Sequence, residues 1–263
     1  MSALTFKFKI KDKLRLDMSW LSTIDSASLD VLNKKNIMYG NKMYNISKLF
    51  SISGNDCDNI KILNSNDCLD NIGNNLSNKV ITIEGNVGLG LGRGMNSGII
   101  NLKGNAGEGA CSGMKGGSVF IDGNASNRFC CLPTGRSEGF VDGFVYVKKN
   151  VGSNSISRMR RGNIIIGGNI GNNSCYQMIS GSVTILGKIG KDFGLDARRG
   201  TFIVKDKSLC KNYINANVTD LTYYNFYKSQ VNSILRKSIY GSKEPKRYFG
   251  HKKNKELIEL FVL

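Results

Sequence analysis

The side chains able to do chemistry are few in this chain, and they are poorly grouped. The single histidine, His251, stands in a basic segment, so neither a histidine-rich metal site nor a Ser-His-Asp relay has the residues it needs. Seven cysteines (Cys57, Cys68, Cys111, Cys130, Cys131, Cys175 and Cys210) lack CxxC spacing, the usual sign of a metal or redox pair. Cys111, Cys130 and Cys175 fall inside repeats, where a thiol acts as a small apolar filler. Sugar hydrolysis would need paired carboxylates on one face. The acids Glu84, Glu108, Asp122, Glu138, Asp142, Asp192 and Asp196 form no evident dyad. The run Gly88-Leu-Gly90-Leu-Gly92-Arg-Gly94 invites a nucleotide-binding reading, but Arg93 or Met95 stands where GxGxxG needs its third glycine, and no Walker Gly-Lys-Ser/Thr follows. A formal net charge of +17 permits nucleic-acid binding. No aromatic–basic RNA-binding motif accompanies it, so nucleic acid is a disfavoured partner. Arg160-Arg161 and Arg198-Arg199 are more pointed: they recur at one position of two repeats, which makes a solvated corner or a patch for an acidic carrier or acidic protein surface.

What must position these residues is a repeat. From Val80 to Gly200 six units follow one another, five of 19 residues and the third of 26. Their second positions are Ile81, Ile100, Val119, Val145, Ile164 and Val183; their fourth are Ile83, Leu102, Ile121, Val147, Ile166 and Ile185. Alternating, mostly β-branched apolar residues predict a strand with one buried face. Apolar residues recur at position eight and, as Met95, Met114, Met159, Met178 and Ala197, at position sixteen. Every unit ends in glycine. Asn86, Asn105, Asn124, Asn150 and Asn169 occupy position seven, where stacked amides would form a ladder, and Lys188 ends the series. A lone unit of this size cannot bury its apolar face, whereas stacked copies can. Nineteen residues leave no room for a helical crossover, so the units predict a parallel β-helix with turns about 4.8 Å apart.

The flanks read differently. Residues 1–59 are expected to cap the stack: Phe6 to Ile10 alternates as a strand, Ser28 to Lys35 suits a short helix, and short strands surround Gly40-Asn41. Ile60 to Lys79 resembles a degenerate coil with Asn66 at the ladder position, and Thr201 to Lys207 opens a seventh strand. Leu221, Tyr224, Tyr227, Val231, Ile234, Leu235 and Ile239 recur at helical spacing. They predict an amphipathic helix of about five turns, with Asp220 as its N-cap and its end near Gly241. Ser242 to Leu263 is basic and then apolar, an edge strand or a docking tail. No stretch approaches the roughly 18 apolar residues of a membrane span, and the N-terminus lacks the apolar core of a signal peptide. An odd cysteine count also favours a reducing compartment. The expected location is the cytoplasm, with no membrane partner.

The repeat pattern GN-[VAI]-G … M-x-x-G resembles the GXGXG β-helix family, which includes the C-terminal domain of glutamate synthase and the β-helical subunit of formylmethanofuran dehydrogenases. Within the long third unit, the stretch Phe129 to Gly143 is similar to an insertion of that subunit, from which Cys130-Cys131 and Phe140 depart. Ser157 to Gly162, Met178 to Gly187 and Ala197 to Thr201 look like the equivalent β-helical subunit of the bacterial formyltransferase/hydrolase complex. Leu14–Ser19 and Gly250–Leu260 are weaker echoes.

The resemblance implies an all-β chain: a single-stranded right-handed parallel β-helix of about seven coils, spanning 60–207, with an N-terminal cap (1–59) and a C-terminal helix and basic tail (208–263). It implies a non-catalytic scaffold among the other subunits of a hetero-oligomeric complex. That complex moves formyl from tetrahydromethanopterin to a methanofuran-type carrier and releases formate in methylotrophic one-carbon metabolism. Catalytic, cofactor-binding and metal residues are expected to be absent here, with metals and carrier held by partner subunits. The alternatives are the β-helical subunit of a molybdenum/tungsten formylmethanofuran dehydrogenase and a structural domain like that of glutamate synthase. The 26-residue unit is expected to carry the interface, through Leu132, Pro133, Arg136, Glu138 and the anchor Phe140. Arg160, Arg161, Arg198 and Arg199 are the second candidate side.

Overall fold

The computed structural model describes residues 1–10, 14–26, 29–216, 221–252 and 256–263. Within them the regular structure is mostly strand, and most strands belong to one large, mostly parallel sheet. The N-terminal part contains β1 (Ala3–Phe8), β2 (Leu16–Asp17), β3 (Asn36–Tyr39), β4 (Lys42–Asn45) and β5 (Phe50–Ser53), with the short helices α1 (Leu29–Leu32) and α2 (Ile46–Leu49). Then come β6 (Asp56–Ser65), β7 (Leu69–Asp70), β8 (Val80–Gly85), β9 (Ile99–Lys103), β10 (Ser118–Ile121), β11 (Phe144–Val147), β12 (Asn163–Ile166), β13 (Ser182–Ile185) and β14 (Arg199–Val204). The chain closes with β15 (Tyr213–Asn215), α3 (Thr222–Leu235), β16 (Lys246–His251) and β17 (Leu257–Val262).

From β8 to β14 each strand lies parallel to the next. Ile83 pairs with Leu102, Leu102 with Ile121, Ile121 with Val147, Val147 with Ile166, and Ile166 with Ile185. All six side chains are buried. A second column of parallel bridges links Val87, Ala106, Ala125, Val151, Ile170 and Ile189. The amide ladder runs beside it. Asn86 Oδ1 accepts from the backbone N–H and side-chain amide of Asn105, and the pattern repeats from Asn105 to Asn124 and from Asn124 to Asn150. Asn169 donates its backbone N–H to Asn150 Oδ1, and Lys188 donates its own to Asn169 Oδ1, which closes the column. Asn66 stands apart from it: its Oδ1 accepts from the Cys68 N–H of its own turn.

The glycine run has a conformational origin. Positions eleven and thirteen of every unit have positive φ, as do Gly94, Gly113, Arg158, Gln177 and Asp196 at position fifteen. In the first unit those three positions are Gly90, Gly92 and Gly94, which adopt this backbone without a Cβ penalty. Later units place Cys111, Cys130 and Cys175 at the thirteenth position, fully buried. Burial pushes the Cys130 and Cys175 thiols well above their ordinary range, so both are held as neutral packing groups.

Both ends extend the stack. β1 pairs in parallel with β6 and buries Leu4, Phe6 and Phe8, while β5 lies antiparallel outside it. β3 and β4 form a hairpin around Gly40-Asn41. The helix expected over Ser28–Lys35 is the single turn α1, and Ser28 lies outside the described residues. At the other end β17 pairs in parallel with β14 and forms a further rung; the edge belongs to β15 instead. α3 is shorter than its apolar spacing predicts, because Arg236 turns left-handed (φ 51) after Leu235. Asp220, expected as the N-cap, also lies outside the described residues. The helix lays Tyr224, Tyr227 and Val231 on the outer face of β11–β14, against Tyr146, Ile165 and Ile203. There the Thr184 hydroxyl meets those of Tyr227 (3.3 Å) and Tyr240 (3.1 Å). No helix of the described residues is long and apolar enough to cross a membrane.

Candidate functional site

The third unit is longer than its neighbours, and two hydrogen bonds fix where the surplus sits. The Leu132 N–H donates to Ser157 Oγ (3.0 Å), and the Gly139 N–H donates to the Arg158 carbonyl (3.0 Å). Both acceptors belong to the following turn. The chain therefore leaves the stack at Leu132 and rejoins it at Gly139, so that Leu132–Glu138 stand outside. Within this loop the Arg136 N–H donates to the Pro133 carbonyl (3.2 Å) and closes a turn. Pro133 rests on Gly113, where a Cβ would meet Pro133 Cγ at 2.6 Å. Thr134, Gly135, Arg136 and Ser137 are exposed, whereas Leu132, Pro133 and Glu138 are half-buried.

Phe140 requires a correction. Expected as a surface anchor, it is wholly buried in the interior of the stack. Counted back from the closing Gly143, it takes the place that Met95, Met114, Met159 and Met178 hold before their own glycines. The Val141 N–H donates to the Met114 carbonyl, and the Arg160 N–H to the Phe140 carbonyl, both at 2.8 Å. Phe140 is thus one step of the methionine column and offers nothing to a partner.

The four arginines are exposed, and the backbone bonds place them in register. The Arg160, Ile179 and Arg198 N–H groups donate to the residues one turn back, Phe140, Met159 and Met178. Arg160 and Arg198 are therefore two turns apart, about 10 Å along the stack. The structure brings Arg160 to the loop, where it pairs with the Glu138 carboxylate. Arg198 and Arg199 lie further on, beside β17, whose Leu257 N–H donates to the Arg198 carbonyl (2.8 Å). Arg161 is not drawn into the loop by any contact.

The loop is a ridge with hollows on both flanks. One hollow, of about 330 Å³, is lined by Arg93, Lys115, Arg136, Glu138 and Val141. With Glu138 already paired, its free charge is cationic, suited to acidic groups. The opposite flank opens into a more apolar hollow of about 480 Å³ that includes Leu132, Tyr176 and Leu195. Sequence reasoning missed Arg93, Lys115, Tyr176 and Leu195. The signal available was the fourteenth position, at which Arg93, Tyr176 and Leu195 stand exposed. Among the described residues, no three His, Cys, Asp or Glu side chains converge as metal ligands would. His251 is half-buried, edge-on to Tyr213 at 5.4 Å between ring centroids, and distant in sequence from this ridge. The ridge thus presents more apolar contact on one flank and positive charge on the other.

A family model described as the GXGXG motif matches residues 69–262. Among solved structures, the chain is similar to one in the crystal structure of the formyltransferase/hydrolase complex (FhcABCD) from Methylorubrum extorquens, solved in complex with methylofuran. The two are 26% identical, the match covers 98% of each chain, and the TM-score is 0.83. No curated protein sequence matches the chain.

Proposed function

Because the chain belongs to the GXGXG-motif family, we propose that it is the non-catalytic scaffold subunit of a cytoplasmic formyltransferase/hydrolase complex. That complex would transfer formyl from formyl-tetrahydromethanopterin to a methanofuran-type carrier and release formate, in methylotrophic one-carbon metabolism. In this reading the chain is a single-stranded right-handed parallel β-helix of about seven coils, capped by residues 1–59 and 208–263. Metals and carrier chemistry reside on partner subunits, which dock on the loop Leu132–Glu138 and its flanks.

The observation that carries the reading is the extent of the structural likeness, which includes both ends as well as the repeats. A generic glycine-cornered solenoid would share the stacked units alone. The apolar and cationic flanks of the ridge support the docking part of the reading.

Co-expression of the tagged chain with candidate partner subunits from the same genome tests the proposal. The chain should co-purify with them in fixed ratio, and the purified chain alone should turn over no formyl-tetrahydromethanopterin. Turnover by the chain alone, lost on a point substitution in it, would overturn the scaffold reading. Failure to co-purify would overturn the assignment to the complex.

A further inference from the structure

Three successive turns carry a polar side chain at a backbone position that two earlier turns give to glycine. Gly94 and Gly113 are left-handed at position fifteen (φ 63 and 64), and Arg158, Gln177 and Asp196 keep that conformation (φ 53, 51 and 58). A Cβ in this region is strained against the backbone. Non-glycine residues share this backbone at positions eleven and thirteen of later turns, and the three side chains at position fifteen are polar.

Arg158 holds a second anomaly. Its Nε is buried and has no hydrogen-bond partner among the described residues. A charged donor shut from water without an acceptor is costly, and native proteins rarely leave one so. The same side chain lines a cavity of about 200 Å³ together with Gln177, Ile179, Asp196 and Arg198. Arg160, one turn from Ile179 in the neighbouring column, is engaged by Glu138 and does not line this cavity. Two guanidinium groups and one carboxylate leave the cavity with one net positive charge.

We propose that this cavity is a binding site for a single carboxylate. Arg158 and Arg198 take its two oxygens, the pairing for which the guanidinium fork is shaped, and the Gln177 amide adds a donor. Asp196 sets the selectivity by opposing a dianion such as phosphate. A water molecule fills about 30 Å³ of liquid, so the cavity has room for a small carboxylate or the end of an Asp or Glu side chain. A free monocarboxylate and an acidic side chain of a bound protein offer the same chemistry. This site stands apart from the scaffold reading and does not depend on it.

The guanidinium Nε–H signal of Arg158, in the full chain labelled with ¹⁵N-arginine, reads the site directly, with acetate as the probe. Arg158→Gln assigns the signal, and Gln177 at the same position one turn on indicates that glutamine is tolerated there. Acetate should move the signal saturably at constant ionic strength. Chloride should not, and phosphate should act far more weakly. Arg198→Gln should weaken acetate binding by about tenfold, the loss of one charge-assisted contact. Repeating the titration on the assembled complex separates the sources. A signal already at its acetate-bound position identifies a protein carboxylate as the occupant, and one that still titrates identifies a free anion. An Arg158 signal that acetate moves no more than chloride does, in the chain alone, overturns the proposal.

Discussion

Deleting Leu132–Glu138 and joining Cys131 to Gly139 converts the third unit into a 19-residue turn like its neighbours. The losses can be itemised. The hydrogen bond from the Leu132 N–H to Ser157 Oγ is worth about 1 kcal/mol net. The Glu138–Arg160 pair, with both side chains about a third or more exposed, is worth less than about 1 kcal/mol. Against them, a shorter connection costs less closure entropy, by about 0.6 kcal/mol per halving of loop length. The balance lies within about 1 kcal/mol of zero, which for a chain of this size moves the melting temperature by no more than about 4 °C. Partner binding should respond quite differently. Loss of a central ridge with its flanking apolar and charged contacts should weaken association at least tenfold, about 1.4 kcal/mol. Calorimetry of the isolated chain and surface plasmon resonance against the partner subunits measure the two effects separately. Should the deletion aggregate, Arg136→Ala removes an exposed loop side chain without touching the stack and reads the same interface. Unchanged affinity for both variants would refute the docking role of the loop. A deletion that unfolds the chain, with Arg136→Ala binding normally, would show that the loop serves folding instead.

Two further outcomes follow from the packing. Ile121, 1% exposed between Leu102 and Val147, should cost roughly 2–5 kcal/mol when replaced by Ala, measured by chemical denaturation; a loss under about 1 kcal/mol would mean the column is not close-packed. Burial raises the Tyr240 hydroxyl from its ordinary 10.0 to about 12. Between those values the unfolded chain has released a proton that the folded chain still holds, so stability is complete below about pH 10 and falls as pH rises towards 12. Tyr240→Phe should flatten that decline in a series of urea melts, and identical slopes for the two proteins would disprove the assignment.

Much of this architecture is legible in residue spacing, and the parts that are not share a cause. The strand positions and the asparagine column can be read because stacking demands the same residue type at the same place, turn after turn. Phe140 is misplaced when the long unit is counted forward from Ser118. Counted back from Gly143 it falls among the methionines, since an insertion shifts everything after it but leaves the closing glycine in register. Apolar spacing overstates α3 because it continues through Ile239, while the backbone reverses at Arg236, and an arginine in left-handed conformation carries no sequence signal. The cover provided by that helix does leave a trace in the sequence. The outward third position of the strands is Thr82 and Asn101 in early turns, but Phe120, Tyr146, Ile165 and Ile203 in later ones, with Thr184 between them bonded to the tyrosines of the cover, and a covered face accounts for that change.

That cover bears on which side of the stack is left for partners. Over β11–β14 the outer face of the strands is occupied by Tyr224, Tyr227, Val231 and Tyr240, so an incoming protein meets the back of α3 there and not the coil. The path from position ten to position sixteen carries no such cover among the described residues, and the long loop, Tyr176, Leu195 and Arg158 all lie along it. The loop leaves just after its fourteenth position, Tyr176 and Leu195 stand exposed at that position of later turns, and the strained series Arg158, Gln177 and Asp196 occupies the next. A stack of identical turns has no intrinsic reason to place an insertion and a buried, unpartnered arginine Nε on one side. Selection for contact on that side supplies one, because a rigid rung spacing holds each group at a fixed distance from the others before any partner arrives.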